Sequence, residues 1–212
     1  MAKLRVLVYG AGGHARVVID VLERMQQYEI VAVADDDPAK RNHSFCGYPI
    51  IGGIETVLSR GMQEYTVAAI GDNKERALVA QRLESTGFQF VTAIHPAATI
   101  GRDVSLGHGT VIMANAAVNP NTTVGRHAII NTGATVDHDC LIGDFAHISP
   151  GAHLGGNVTI EALVHVGIGA SVIPGVRIGK GSIIGAGAAV VTDIPSGVVA
   201  VGVPAKVVKP AN

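Results

Sequence analysis

From Asn131 to Cys140 the chain reads Asn-Thr-Gly-Ala-Thr-Val-Asp-His-Asp-Cys, which places His138 directly between two carboxylates, Asp137 and Asp139. Flanking acids orient an imidazole and raise its basicity, as a general base working near neutral pH requires. Of the other histidines, His147 and His165 lie eighteen residues apart, with His153 between them. No carboxylate or cysteine sits near them at ligand spacing, so no metal site is expected. His108 and His127 fall at chain corners and His43 and His95 outside the regular repeat, and all four read as solvated surface. A second group lies near the start. Gly10, Gly12 and Ala15 fit G-x-G-x-x-G/A, with Gly13 and His14 inside the turn, and Asp35 and Asp36 follow where a ribose-binding acid is expected.

The element that must position His138 is a repeat. Seventeen aliphatic residues recur at intervals of six, from Ile94, Ile100 and Leu106 through Val136, Ile142 and Ile148 to Ile184 and Val190. Two residues before each of the anchors from Ile100 onward stands a small, β-branched or thiol side chain, such as Ala116, Thr122, Cys140 or Val158. No α-helix repeats at six, whereas a strand points residues i and i−2 to the same side. The pattern is that of a hexapeptide parallel β-helix, with three hexads to a coil. It predicts about five to six coils stacked at the ~4.8 Å strand spacing. Glycines just after the anchors, including Gly101, Gly143 and Gly167, are expected to supply backbone freedom at the corners. Residues eighteen apart then lie one above another, which sets Gly156 on the coil next to His138 and Ala186 above Ile168.

The first ninety residues follow a different rule. Strands are expected at Leu4–Tyr9, Ile30–Ala34, Tyr65–Ile70 and Gln89–Ile94, and helices at Arg16–Gln27, with Val17, Val18, Val21 and Leu22 apolar, and at Lys74–Thr86. This is a half-Rossmann βαβαβ arrangement over residues 1–93, with the β-helix over 94–212. Its glycine turn admits a mononucleotide site, a plain structural turn or NAD binding. The short chain before the repeat favours the first, with phosphate on the turn amides and the helix N-terminus. A net charge of −1 gives no ground for nucleic acid or a membrane surface, and the chain reads as cytoplasmic. Cys46 and Cys140 stand in different segments, and Cys140 reads as a buried structural thiol.

Taken together, Tyr9-Gly10-Ala11-Gly12-Gly13-His14, Ile130-Asn131-Thr132, Val136-Asp137-His138-Asp139, Phe145-Ala146-His147-Ile148-Ser149 and Val201-Gly202-Val203-Pro204-Ala205-Lys206 resemble the bacterial sugar O/N-acyltransferases. Members of that family acetylate nucleotide-linked 4-amino sugars, such as bacillosamine and perosamine precursors, or sialic acids. The resemblance implies a left-handed β-helix homotrimer binding acetyl-CoA in clefts between neighbouring prisms, with the N-terminal domain presenting the nucleotide sugar. It implies N-acetylation of a 4-amino-4,6-dideoxy sugar linked to UDP, GDP or dTDP. A sialic-acid O-acetyltransferase, a γ-carbonic anhydrase and a non-catalytic nucleotide-sugar-binding protein are the alternatives.

By the same resemblance His138 is the base and Asp139 its orienting acid, where the bacillosamine enzymes carry Glu. Asn131 meets the sugar and His147 the thioester or pantetheine end of CoA. Gly12, Gly13 and His14 hold phosphate and sugar, Asp35 and Asp36 base and ribose, and Gly71 ends the third strand of that site. Ile168 and Ala186, stacked by the eighteen-residue ruler, line the pantetheine arm with Gly167, an assignment the resemblance also supports, and the position of Lys206 after Pro204 suits contact with CoA phosphates. The eighteen-residue ruler makes the Gly156 N–H the candidate oxyanion donor.

Overall fold

The structure, a computed structural model, describes residues 3–60 and 64–211, so the outermost residues of both expected domains lie outside it. Contacts divide the chain into two compact units between Pro96 and Ala97, against 93/94 from the repeat. Among the described residues no helix is long and apolar enough to cross a membrane.

The first unit is a parallel sheet of β1 (Leu4–Tyr9), β2 (Tyr28–Ala34) and β5 (Tyr65–Ala68), in the order β2-β1-β5. Single bridges extend it at Val33 with Ile50 and at Thr66 with Phe90. The expected strand Gln89–Ile94 is therefore reduced to that bridge and a two-residue strand, Ala93–Ile94. Helix α1 spans Gly13–Met25, three residues earlier at its start than expected, and ends at Gln26 in the left-handed conformation. Its buried face is Ala15, Val18, Ile19, Val21 and Leu22. Val17 is exposed, because Ile19 rather than Val17 completes the inward stripe. The chain from Pro38 to Ser59 holds elements the periodicity did not show: a 3-10 turn Pro38–Lys40, a hairpin of β3 (Ser44–Phe45) and β4 (Tyr48–Pro49), and α2 (Ile54–Ser59). Helix α3, Asn73–Glu84, is capped by Asp72, whose Oδ1 accepts from Glu75 N at 2.9 Å.

The second unit is a parallel β-helix of about six turns. Two-residue strands pair eighteen residues apart, as Val118 with Val136, Val124 with Ile142 and His147 with His165. These build three faces, and the third ends in an antiparallel hairpin of Val198–Val201 with Lys206–Pro210. Anchors from Ile112 to Val190 are at most 4% exposed, whereas Ile100 and Leu106 on the first coil are half-buried. The inward polar residues at i−2 tie corners together. Thr110 Oγ1 donates to Gly125 O at 2.7 Å, and Ser182 Oγ donates to Pro195 O at 2.6 Å. Beyond Val190 the pairing continues in a shorter coil, with Ile178 opposite Ile194 and Ile184 opposite Ala200, sixteen residues apart.

Two expectations about the corners are corrected. The left-handed residues do not follow the anchors directly but stand three beyond them: Gly133, Gly151 and Gly169 with φ 66°, 63° and 65°, and also Asn115, Asp139 and Phe145 with φ 57°, 58° and 59°. Glycine just after an anchor serves close packing instead. A Cβ at Gly143 would stand 2.5 Å from Ala162 N on the next coil, and one at Gly167 would stand 2.5 Å from Ile184 O. Secondly, His127 is not solvated. It is fully buried, its ring stacked on Phe145 at 5.0 Å and 4°, one coil apart, with His108 edge-on at 5.3 Å.

These two glycine roles predict opposite tolerances. Gly143→Ala should destabilise the protein by about 1–3 kcal/mol, because the clash is with backbone that has no room to move. Gly133→Asn should be near neutral, since Asn115 holds the equivalent left-handed position one coil earlier. Urea midpoints of the two variants check both.

Candidate functional site

The first unit contains a cavity of about 780 Å³ bounded by the glycine turn, the ends of β2 and β5, and one face of α3. Gly10 is required by the protein itself: its φ is 117°, and a Cβ there would lie 2.7 Å from Ala69 O. Gly12 and Gly13 are different. A Cβ at either would meet nothing within 4 Å, so their smallness leaves open space in front of the helix. Helix α1 starts at that point with no side-chain cap and no acid in its first turn, which leaves its first amides without a side-chain acceptor beside the cavity.

The two expected acids lie on the cavity wall and are both engaged. Asp35 Oδ2 accepts from Ala11 N at 2.7 Å and Lys40 Nζ at 3.0 Å, and its Oδ1 accepts from Asp37 N at 2.9 Å. Burial alone would raise this carboxyl, but the Asp37 amide, Lys40 and the Ala11 amide together hold it below the usual carboxylate range. Asp36 Oδ1 accepts from Ile54 N at 2.8 Å, and its Oδ2 accepts from Tyr9 Oη at 2.7 Å. Burial and that bond to Asp36 keep the Tyr9 phenol protonated far above its ordinary range. The acids thus shape the cavity by tying the turn, α2 and β1 together.

His14 lies beside Gly71, whose added Cβ would stand 3.6 Å from His14 Cβ. Burial, with Arg76 nearby, pushes the imidazole down to about 4, so His14 is neutral at pH 7 and presents one N–H donor. Arg76 was not singled out by the sequence. Fully buried on α3, it donates through Nη1 to Ile70 O at 2.9 Å and Gly71 O at 3.1 Å, and through Nη2 to Asn73 Oδ1 at 2.8 Å. Burial lowers the guanidinium to about 10, so it remains a cation at neutral pH beneath the turn that ends β5. No motif announces it, because its function depends on a carbonyl cluster made by the fold.

In the second unit His138 occupies an outer corner, its side chain 57% exposed. Its Nδ1 lies 2.7 Å from Asp139 Oδ2. With Nδ1–H donated to that carboxylate, Nε2 is left as the acceptor. The hydrogen bond to Asp139, followed by the charge of Asp137, raises the imidazole above its ordinary value. Asp139 is held below its own range by His138 first and Asn121 second. Gly156 lies under the ring, as the ruler placed it: a Cβ there would come within 2.7 Å of His138 Nε2 and Cε1. His138 and Gly156 border an open cleft of about 330 Å³ with Asp137, Asn157, Pro174 and Gly175. Among the described residues the Gly156 N–H has no acceptor, nor do those of Ile168 and Ala186, which hold the same place in their hexads.

The remaining expected residues sit elsewhere on the β-helix. His147 is 7% exposed, with Nε2 3.0 Å from Asn131 Nδ2. Its ring lies 4.8 Å from that of His165, which meets Ser149 Oγ at 3.0 Å. Ile168 is 62% exposed and Ala186 is exposed one coil above it, while Gly167 N donates to Ile184 O at 2.8 Å and belongs to the coil ladder. Lys206 is exposed at the start of the last strand, opposite Val201. The structure therefore brings together His138, Asp139 and Gly156 in one place, Asn131 with His147 in another, and the glycine turn, His14, Asp35, Asp36 and Gly71 around the cavity of the first unit.

Comparison with known proteins bears on both units. Residues 5–83 match the PglD N-terminal domain family. PerB from Caulobacter crescentus, whose crystal structure is a complex with CoA and GDP-perosamine, is 41% identical, with 97% of this chain and 98% of that chain covered and a TM-score of 0.91. The acetyltransferase domain of PglB from Neisseria gonorrhoeae FA1090 is 37% identical, with 97% and 100% covered and a TM-score of 0.89. The UDP-N-acetylbacillosamine N-acetyltransferase of Bacillus subtilis (strain 168) is 39% identical over 110 residues, and that alignment spans about half of each protein, 51% in both.

The corner geometry generates a sharp test. Gly156→Ala would drive a methyl group into the His138 ring, so kcat should fall at least tenfold while the melting temperature stays close to wild type. Initial rates and a thermal melt on the same preparation check it.

Proposed function

The chain belongs to the PglD-like nucleotide-sugar acetyltransferases, and from that membership we propose that it transfers acetyl from acetyl-CoA to the 4-amino group of a nucleotide-linked 4-amino-4,6-dideoxy sugar. The relatives are acetyl-CoA-dependent enzymes, and solved complexes among them hold CoA or acetyl coenzyme A. The observation that carries the reading within this chain is the His138 imidazole, hydrogen-bonded to Asp139 and packed against Gly156. Residues 1–93 form the nucleotide-sugar-binding domain in this reading, and 94–212 the acetyl-transfer domain. The assembly is a homotrimer in the cytoplasm with active sites between subunits, which gives the exposed Ile173 and Val191, stacked one coil apart, a partner to cover them.

Each group has a defined task. The amides at the start of α1, with Gly12, Gly13 and neutral His14, take the diphosphate. Arg76 contributes positive potential from below, and the Asp35 and Asp36 wall takes base and ribose hydroxyls. Asn131 contacts the sugar and His147 the thioester end of CoA. The exposed amides of Ile168 and Ala186, beside Gly167, line the pantetheine arm, and Lys206 meets CoA phosphate.

Transfer is direct. The neutral sugar amine attacks the thioester carbonyl, forming the C–N bond, as its proton passes to His138 Nε2. The oxygen that gains charge in the tetrahedral intermediate is met by the Gly156 N–H. Collapse breaks the C–S bond, and the proton held by His138 goes to the departing CoA sulfur. Asp139 supports the transient imidazolium without itself taking the proton.

Release of CoA thiol should be rapid with one member of a panel of UDP-, GDP- and dTDP-linked 4-amino-4,6-dideoxy sugars. Release with sialic acid alone would overturn the N-acetyl reading. His138→Ala should reduce kcat by about 10²- to 10⁴-fold, the range for a lost general base, and near-normal turnover would refute the assignment. The base must be neutral to act, and its imidazole is raised, so kcat/KM should decline with acid around a midpoint above the ordinary ~6.5 of histidine. Asp139→Asn replaces the charged acceptor with a neutral one, weakening the raising hydrogen bond, and should move that midpoint to lower pH, as read from the pH–rate profile.

A further inference from the structure

The corner that carries His138 is gripped along its length by the coil before it. Asn121 Nδ2 donates to Asp139 Oδ1 at 3.2 Å, while the other oxygen of the same carboxylate meets His138 Nδ1 at 2.7 Å. Asn119 Nδ2 donates to Asp137 Oδ1 at 2.8 Å, and that oxygen also accepts from His138 N at 2.8 Å. Thr122, buried between them, donates through Oγ1 to Asp137 O at 2.9 Å and accepts from Cys140 N at 3.3 Å. Asp139 N donates to Pro120 O at 3.1 Å. Residues 119–122 therefore hold Asp137, Asp139 and Cys140 across one coil, with Asn119, Asn121 and Thr122 each meeting the residue eighteen positions on.

We propose that Asn121, assisted by Asn119, is a positioning residue for acetyl transfer: from the preceding coil it fixes the Asp139 carboxylate in the rotamer that orients His138. The inference rests on the reading of His138 as the base. The physical need is plain, because Asp139 is 45% exposed and in water a carboxylate on so short a side chain rotates freely. Asn121 and Asp139 are both left-handed, with φ 63° and 58°, so their side chains leave the helix in parallel and meet edge to edge. An amide suits the role because it gives the carboxylate a donor without neutralising it. A lysine there would weaken the charge that supports the imidazolium. The other groups facing His138 are Gly156 and Asn157 on the next coil and Pro174 and Gly175 on the one after, none ionisable. Among the described residues, Asp137 and Asp139 thus set the charge around the base, and each carboxylate is held by one asparagine. These bonds favour the charged carboxylates, holding Asp137 below its ordinary range chiefly through Asn119 and Asp139 through His138 first and Asn121 second.

The test uses the full chain, acetyl-CoA and the responding amino sugar, with rates followed across the neutral pH range. Asn121→Gly removes the side chain and tolerates the left-handed backbone. It should lower kcat about tenfold, the order expected for loosened catalytic geometry, with KM for both substrates unchanged and the acid limb of the profile moved to lower pH. Asn121→Asp keeps the shape but sets a second negative charge against Asp139. It should also lower kcat, yet move the acid limb to higher pH. A purely structural role predicts neither shift, and melting temperatures taken alongside separate it. In a His138→Ala background Asn121→Gly should have no further effect. Wild-type kcat and an unmoved profile for Asn121→Gly, with His138→Ala inactive, would overturn this inference alone. Near-normal turnover by His138→Ala would instead overturn the base assignment on which it stands.

Discussion

Parallel pairing between coils eighteen residues apart governs the second unit. Each two-residue strand hydrogen-bonds to the strand one coil before and one coil after, as Thr135–Val136 does with Ala117–Val118 and with His153–Leu154. Up to Val190 every coil has the same length and the aliphatic anchors recur without a slip, and the one departure is the last coil, which pairs sixteen residues apart. The same constraint puts like positions in columns on the outside. His138 stands over Gly156 and Asp139 over Asn121 because the backbone ladder stacks residues eighteen apart.

That geometry makes a narrow core and a chemically usable surface. Only compact side chains fit at i−2, and where Thr110, Thr122 or Ser182 replaces an apolar residue, its hydroxyl satisfies backbone groups that the corner leaves open. Close approach between coils also makes glycine obligatory just after many anchors. The left-handed corners three residues past the anchors accept asparagine, aspartate and glycine alike. An aspartate such as Asp139 at such a corner therefore adds little strain to the fold. Rigid stacking supplies a flat, preorganised rim on which amides and an imidazole stand at fixed heights.

The first unit solves a different problem. Its sheet ends in turns that border an open cavity, kept clear by the absence of side chains at Gly12 and Gly13 while carboxylates anchor the surrounding loops. Asp35 and Asp36 hold together segments far apart in sequence: the glycine turn, the Pro38–Lys40 turn and the start of α2. Arg76 does the same for the turn ending β5 and adds a buried positive charge. Cavity wall and loop architecture are carried here by the same side chains.

The sequence by itself determined the β-helix, its coil length and the pairing of His138 with Gly156, since a strict six-residue repeat is a one-dimensional code for a structure whose contacts are all at fixed separation. It also determined β1, the glycine turn and the alternation of strand and helix in the first unit. Tertiary structure alone decided the rest. Val17 turned outward because helix rotation is set by the sheet it packs on. His127 went inside because Phe145, one coil on, offers a ring to stack against. The corner glycines proved to be sites of close approach, which depends on the neighbouring coil and not on the local chain. Arg76 acquired its role from carbonyls gathered by folding. The Asn119 and Asn121 contacts lay within reach of the eighteen-residue ruler, but only side-chain geometry separates a hydrogen-bonded pair from two residues that merely share a column.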